Sequence, residues 1–67
     1  MSVMKVIEIM GDSDTSWEHA AGEAVAEAAK SVKNIRSVWI KDQAATVEGG
    51  KIKRYRATCK ITFEVET

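Results

Sequence analysis

The chain opens with an apolar segment that alternates like a half-buried strand. Residues 3–10 are mostly apolar and partly β-branched. Ile7 and Ile9 fall on one side of an extended chain, and Val6 and Glu8 fall on the other. Since side chains of a strand alternate between its two faces, this pattern predicts a strand over residues 3–10.

A helical pattern follows and predicts a helix over residues 14–32. Gly11 ends the strand, and among the polar residues after it Ser13 is the predicted N-cap, with Asp14 in a first turn where the helix dipole favours a carboxylate. Asn34 is the predicted helix stop. Apolar residues then recur with helical spacing, which indicates one buried stripe. Its members are Trp17, Ala20, Ala21, Ala24, Val25, Ala28 and Val32. Because most of them are alanines, the helix is expected to lie close to the sheet.

The second half of the chain reads as a long hairpin. Strands are predicted over residues 35–47 and 51–66, joined at Gly49-Gly50, because a two-residue type I′ turn needs positive φ at both central positions. That turn predicts a register in which paired residue numbers sum to 99. The predicted pairs facing the helix are Val38–Ile61, Ile40–Cys59 and Ala44–Tyr55. The predicted pairs on the other face are Ser37–Thr62, Trp39–Lys60, Lys41–Thr58 and Gln43–Arg56.

These elements define an α+β fold, β-α-β-β, with a three-stranded antiparallel sheet on one helix. A single domain of 67 residues has a small core, and such domains usually need disulfides, a metal or partner subunits. Cys59 is the only cysteine, so no disulfide forms within the chain. The helix covers one sheet face and nothing remains to cover the other. We therefore expect a homo-oligomer.

Charge excludes two classes of partner. Ten basic and ten acidic residues cancel, so the chain as a whole has no basic excess to attract nucleic acid or an anionic membrane. No apolar run approaches the ~20 residues of a membrane span, and the first residues lack a signal-peptide pattern. With one unpaired cysteine, the expected location is the cytoplasm.

The uncovered sheet face carries one tryptophan among basic residues. Because Trp and Arg are enriched at interfaces, Trp39 is expected either to pack between subunits or to line a ligand pocket there. In the second case Lys60 or Arg56 provides cation–π support. The basic row Lys41, Arg54, Arg56 and Lys60 is expected to make ion pairs between subunits, with an anionic ligand as the alternative. A sheet that binds RNA needs more than one stacking aromatic.

Catalytic chemistry is not indicated. His19 with Glu23 one turn away is too small a set for zinc, and His19 is expected to face solvent. Cys59 alternates with apolar residues and is predicted to be a small core residue beneath the helix. No nucleophile and base form a pair. We therefore expect a binding or structural protein and not an enzyme.

Several motifs resemble the dodecin family. The opening strand Lys5-Val6-Ile7-Glu8 and the turn Gly11-x-Ser13-x-x-Ser16-Trp17-Glu18 resemble the family's first strand and helix start. The segments from Gly50 to Val65 resemble its last strand. Each motif alone is weak, but their order, spacing and nearly gapless extent are specific together. The resemblance implies twelve subunits, built as a dodecamer of trimers, in a hollow shell that binds a small ligand.

The flavin-binding branch of the family stacks flavins between tryptophans, and this sequence departs from it. Ser37 stands where the stacking Trp is expected, with Trp39 two residues later on the same face. Arg56 stands where a Gln usually hydrogen-bonds the flavin, which removes an acceptor for the flavin imide N–H. FMN or riboflavin bound through Trp39 is therefore the alternative ligand. The implied ligand pocket or interface comprises Ser37, Trp39, Lys41, Gln43, Arg56 and Lys60.

The family also has a divergent, calcium-binding branch, which this sequence resembles more. Asp12, Asp14 and Glu18 are clustered hard oxygen donors beside a turn, as Ca²⁺ prefers. Helix capping and dipole compensation also explain the two aspartates. The predicted function is a non-enzymatic shell that binds or stores a small ligand, calcium rather than flavin. A ligand-free structural or adaptor oligomer is a further alternative.

Overall fold

The computed structural model describes residues 2–66 and has the predicted element order. The strand β1 spans Val3–Ser13, the helix α1 spans Trp17–Ala29, and the hairpin strands β2 and β3 span Ile35–Glu48 and Lys51–Val65. β3 lies in the centre of the sheet and pairs antiparallel with both β1 and β2. The α+β, β-α-β-β architecture with a three-stranded antiparallel sheet is therefore confirmed. In this described part, no helix is long and apolar enough to cross a membrane.

The helix begins later than predicted, and Ser13 is not its N-cap. β1 continues to Ser13, which pairs with Tyr55 of β3, so this serine still has strand geometry. Ser16 caps the helix instead: its extended backbone (φ −169°, ψ 166°) precedes the first turn, and its hydroxyl accepts the backbone N–H of His19 at 3.0 Å. The Ser13 hydroxyl accepts the N–H of Thr15 at 2.9 Å, and so shapes the turn before the cap.

The helix also ends earlier than the predicted stop at Asn34. Its C-cap is Lys30, whose N–H bonds to the carbonyls of Glu27 and Ala28. Asn34 has a positive φ of 63°, a conformation that asparagine tolerates better than most residues. Its carbonyl accepts the N–H of Glu64, so Asn34 redirects the chain into β2 rather than ending the helix.

The core is the predicted alanine stripe packed on β3. Cys59 is completely buried, as predicted for a small core residue, and its burial raises the pKa of the thiol. Trp17, Val25 and Val32, which were predicted in the stripe, are only half-buried. The core members are Ala20, Ala21, Ala24, Ala28, Ala57, Cys59 and Ile61.

Gly11 allows the helix to approach the sheet this closely. A Cβ atom at this position would stand 1.8 Å from the carbonyl oxygen of Ala20. The sequence predicted that Gly11 ends the strand, but β1 continues through it to Ser13. The structural role of Gly11 is a backbone-to-backbone contact that leaves no room for a side chain.

The hairpin register is as predicted beside the turn and from Ser37 to Ile40. It is shifted by one residue between these two segments, and again at Ile35, which pairs with Phe63. Gly49 and Gly50 have φ of 59° and 76°, as the turn requires. Opposing bulges at Lys53 on β3 and Lys41 on β2 create the shift and then cancel it. The confirmed pairs are Val38–Ile61, Ile40–Cys59, Ser37–Thr62 and Trp39–Lys60. The pairs Ala44–Tyr55, Lys41–Thr58 and Gln43–Arg56 were wrong; the observed ones are Ala45–Tyr55, Asp42–Thr58, Gln43–Ala57 and Ala44–Arg56.

Candidate functional site on the open sheet face

The sheet face opposite the helix, which we call the open face, centres on one rung of three residues. Glu8 of β1, Lys60 of β3 and Trp39 of β2 lie side by side across the sheet. Directly paired residues of antiparallel strands project to the same face, so the register aligns their side chains. The Lys60 ammonium stands 5.5 Å from the centroid of the Trp39 ring, which is cation–π distance. The predicted support of Trp39 by a basic neighbour is therefore present.

A second cation reaches the same rung. Lys41 occupies the bulge of β2, and its Nζ lies 3.7 Å from Oε1 of Glu8. Lys41 thus reaches across the central strand β3 to pair with Glu8 on the edge strand β1. The Trp39 side chain is 60% exposed, so the rung presents a bare aromatic surface bordered by two lysines. Such a surface suits a planar or anionic group, or the surface of another subunit.

An ion-paired arginine cluster lies two rungs closer to the hairpin turn, beyond the rung of Met10, Thr58 and Asp42. Arg54 Nε donates to Oδ1 of Asp12 at 3.1 Å, and Arg56 lies opposite Asp12 in the sheet register. At the other end of the face, Arg36 Nε lies 3.2 Å from Oε1 of Glu64. Lys41 and Arg54 were expected to pair between subunits, and here each has a partner within its own chain. These exposed pairs are of the kind that contributes at most about 1 kcal/mol each.

Five of the six predicted pocket residues lie on or beside the open face, and one does not. Ser37 pairs with Thr62, one rung from Trp39 on the side away from the hairpin turn. Arg56 lies two rungs from Trp39 on the side toward the turn. Gln43 pairs with Ala57, a buried residue under the helix, so the register places Gln43 on the helix side. The bulge at Lys41 causes this change, because one extra residue inverts the alternation of faces.

The three predicted metal ligands do not form a metal site within one subunit. Asp12 faces Arg54, Oδ1 of Asp14 accepts the Thr15 hydroxyl at 3.2 Å, and Glu18 lies exposed in the first helical turn. Across residues 2–66, no three His, Cys, Asp or Glu side chains come together closely enough to hold a metal. Ca²⁺ takes six to eight oxygen ligands, so one subunit's carboxylates are insufficient.

The junction between β1 and α1 contains a polar chain that sequence reasoning missed. The Ser13 hydroxyl, 3% exposed, contacts Nδ1 of His19 at 2.8 Å, while Nε2 of His19 lies 3.5 Å from Glu23. Trp17 adds a second tie: its Nε1 donates to the Ala44 carbonyl at 2.8 Å and its ring meets Tyr55 edge-on. In the sequence, only the i, i+4 spacing of His19 and Glu23 indicated a part of this polar chain. The contacts to Ser13 and Ala44 depend on tertiary structure.

The fold and the open face define the class to which the chain belongs. Residues 3–66 match the family described as dodecin, and the chain is a member of the dodecin family. Within it, the chain is 43% identical over 65 residues to the protein named calcium dodecin of Mycobacterium tuberculosis, with 97% of this chain and 92% of that protein covered.

Solved structures agree with this assignment. A calcium dodecin from Mycobacterium tuberculosis, described with a novel calcium-binding site, has 45% identity, covers 97% of this chain and 93% of its own, and superposes with a TM-score of 0.83. A single-residue variant of the Thermus thermophilus dodecin has 27% identity, full coverage of both chains and a TM-score of 0.95. A Streptomyces coelicolor dodecin, at 20% identity, 98% and 94% coverage and a TM-score of 0.94, shares the fold. In sequence, the chain is therefore more similar to calcium dodecin than to these other two.

Proposed function

We propose that this protein is the subunit of a non-enzymatic, calcium-binding homo-oligomer of twelve chains. The observation that carries the proposal is the 43% identity, over nearly the whole chain, to a protein named calcium dodecin. Departures from the flavin pattern point the same way, since Ser37 and Arg56 replace the aromatic wall and the acceptor that a flavin needs. Calcium binding or storage is the activity that we expect.

The oligomer supplies what one subunit lacks. Within residues 2–66 of one subunit, no three carboxylates come close enough to hold a metal. We therefore place the calcium ion where subunits meet, with oxygens from more than one chain. Asp12, Asp14 and Glu18 are the proposed acidic ligands, because they are hard donors grouped near one end of the helix. The open face supports assembly, since exposed apolar side chains on a three-stranded sheet favour a partner.

The proposed setting is the cytoplasm, with the chain's own copies and a small ion as partners rather than nucleic acid or membrane. Two features support this. The lone Cys59 is a buried free thiol, which a reducing compartment preserves. Charge is balanced over the sequence, so no overall basic excess favours a polyanion.

Calorimetric titration of chelator-treated protein with CaCl₂ tests the ion, and native mass spectrometry tests the assembly. We expect saturable heat, a rise in melting temperature that EDTA reverses, and a mass near twelve chains. Asp12→Asn combined with Asp14→Asn is expected to weaken calcium binding about tenfold or more, because each Asn loses a charge and a bidentate oxygen pair. Asp42→Asn, an exposed aspartate elsewhere on the sheet, is the matched control.

The outcomes separate the ion from its ligands. No heat and no melting shift with calcium contradict the calcium function. Shifts that survive in the Asp12 and Asp14 variants contradict only the named ligands. Because Asp12 also bonds Arg54, Arg54→Gln is needed as a second control: it removes the ion pair and keeps the carboxylate.

Flavin binding is the second candidate, and the exposed Trp39 ring with Lys60 beside it is the observation that favours it. A flavin stacked on an indole loses its fluorescence, so titration of FMN and of riboflavin against the protein tests it. If the protein quenches flavin fluorescence and Trp39→Ala abolishes the quenching, then flavin and not calcium is the ligand. An intact oligomer that binds neither would identify a structural protein.

A further inference from the structure

The hairpin extends well past the part of the subunit that supports it. The last backbone pairing of β1 is Ser13 with Tyr55, so in the sheet residues 46–54, which we call the arm, pair only with each other. At the base of the arm, the Arg54 side chain bonds Asp12 of β1. The helix begins at Trp17, whose contacts with Ala44 and Tyr55 lie just before the arm. The molecule is 52 Å long and only 19 Å wide, and the arm accounts for part of that length.

The arm carries an exposed apolar pair with lysines on both sides of one member. Val47 and Ile52 lie opposite each other across the hairpin and are 68% and 52% exposed. Lys51 and Lys53 flank Ile52, and neither takes part in an ion pair with the described residues. Two branched side chains held this openly at a stiff hairpin tip are typical of a segment that inserts into a partner.

A cleft of about 400 Å³ between the helix and β1 has the complementary character. Its apolar lining includes Ile9, Met10 and Ala26. Its charged lining residues have a net negative charge and are Asp12, Glu23, Glu27 and Lys30. Two of these carboxylates are already paired in the chain: Asp12 with Arg54, and Glu27 with Lys30 at 2.8 Å. Glu23 has only His19, at 3.5 Å, among the ion pairs of the described residues, and is available to a further cation.

A second cleft, of about 430 Å³, lies at the other end of the subunit and is less suitable. Its charged residues include Lys5 and Lys33 as well as Glu64 and Glu66, so it has no net negative charge to attract a basic arm. Charge therefore selects the cleft beside Glu23.

We infer that the arm of one subunit docks into the cleft beside Glu23 on a second copy of this chain. This inference rests on the proposed homo-oligomer and names the two surfaces that build it. Val47 and Ile52 enter the apolar cleft, and Lys51 or Lys53 pairs with Glu23. Arm and cleft are different surfaces, so the contact is head-to-tail, and repeated copies close into a ring when the rotation between them allows it.

Charge reversal on each surface, with rescue, tests the docking. The variants are Lys51→Glu with Lys53→Glu on the arm, Glu23→Lys in the cleft, and all three together. Assembly mass is followed by light scattering on dilution, in EDTA so that calcium plays no part. We expect each single-surface variant to dissociate at about tenfold or higher protein concentration than wild type, because like charges then meet at the contact.

Rescue is the decisive result. The triple variant is expected to return to within about threefold of wild type, since both charges are inverted and attract again. Lys5→Glu with Lys33→Glu makes an equal change of charge at the other cleft and is expected to leave assembly unchanged. A triple variant as weak as the single-surface ones, no effect of either reversal, or an equal loss in the control would overturn the inference.

These results are separable from those of the calcium proposal. A wild-type protein that is monomeric at every concentration contradicts both the oligomer and the arm docking. An oligomer that ignores the reversals contradicts the docking alone. An oligomer that responds to the charge reversals as expected but binds no calcium supports the docking and contradicts the calcium proposal.

Discussion

The two faces of the sheet differ in the size and burial of their side chains, although the same three strands form both. On the face covered by the helix, Ala57, Cys59 and Ile61 are completely buried. On the open face, Val6, Met10 and Trp39 are each more than half exposed. The covered face is made of small side chains that let a helix lie close. The open face has large apolar side chains with charges between them.

This difference shows which part of the fold one subunit completes alone. A core of four helix alanines and three sheet residues is small, and a domain of this length buries a limited share of its surface. The open face leaves large apolar side chains exposed, which the proposed oligomer would bury. We therefore expect changes on the covered face to act on the subunit and changes on the open face to act on the assembly.

Gly11→Ala is the strongest test on the covered side. The added Cβ would stand 1.8 Å from the Ala20 carbonyl oxygen, so the helix must move away from the sheet. We expect the free energy of unfolding to fall by about 3 kcal/mol or more, the upper range for overpacking a dense core. Urea denaturation at a fixed protein concentration measures it.

Gly22→Ala, on the helix that Gly11 of β1 contacts, is the matched control. Nothing lies within 4 Å of a Cβ atom at Gly22, and alanine is the better helix former. This variant is expected to gain roughly 0.5–1 kcal/mol. Equal losses in the two variants would show that helix-to-sheet distance does not limit stability.

The contrast between faces was largely predictable, since alternation along the hairpin placed Val38 and Ile40 with Ile61 and Cys59. Its detail was not. The alternation of apolar and polar residues does not reveal the bulges at Lys41 and Lys53. The register shift between these bulges places Gln43 on the helix side. Several serines and aspartates before the helix are all good caps, so only tertiary pairing of Ser13 with β3 decides for Ser16.

The candidate site was predictable in the same uneven way. The Trp39–Lys60 pair was predicted correctly, because it lies next to the Ile40–Cys59 pair, where the predicted register holds. The carboxylates Asp12, Asp14 and Glu18 are neighbours in sequence, but they lie on a strand, in a turn and on a helix. Their side chains do not converge into a group of three. Sequence proximity alone does not report how side chains converge.

Trp39→Ala is the corresponding test on the open face. The ring is 60% exposed and contacts Lys60, so its loss is expected to change the unfolding of an isolated subunit by less than about 1 kcal/mol. An interface anchor of this type contributes about 2 kcal/mol or more to association. Light scattering on dilution should therefore show weaker assembly.

Trp39→Phe sharpens this result, since it retains a ring of smaller area and is expected to lose less. A Trp39→Ala protein with unchanged assembly would show that Trp39 does not anchor an interface. A large loss in the unfolding of isolated subunits would show instead that the open face stabilises the single chain.

The smallest expected effect is a pH dependence that arises on the covered face. Burial raises the pKa of the Cys59 thiol, because its charged form is disfavoured away from water. Above the ordinary thiol pKa of roughly 8.5 the unfolded chain releases this proton while the folded chain keeps it. Unfolding is then favoured, and the stability that Cys59 contributes falls as pH rises toward its raised native pKa, by at most about 1.4 kcal/mol per pH unit.

The measurement is the difference in unfolding free energy between wild type and Cys59→Ala at several pH values from 7 to 10. Subtraction removes the contributions that the two proteins share. The difference is expected to be constant below about pH 8 and to fall above it. A flat difference would mean that water reaches the thiol in the folded state, and the covered face would then be less tightly closed than its alanines indicate.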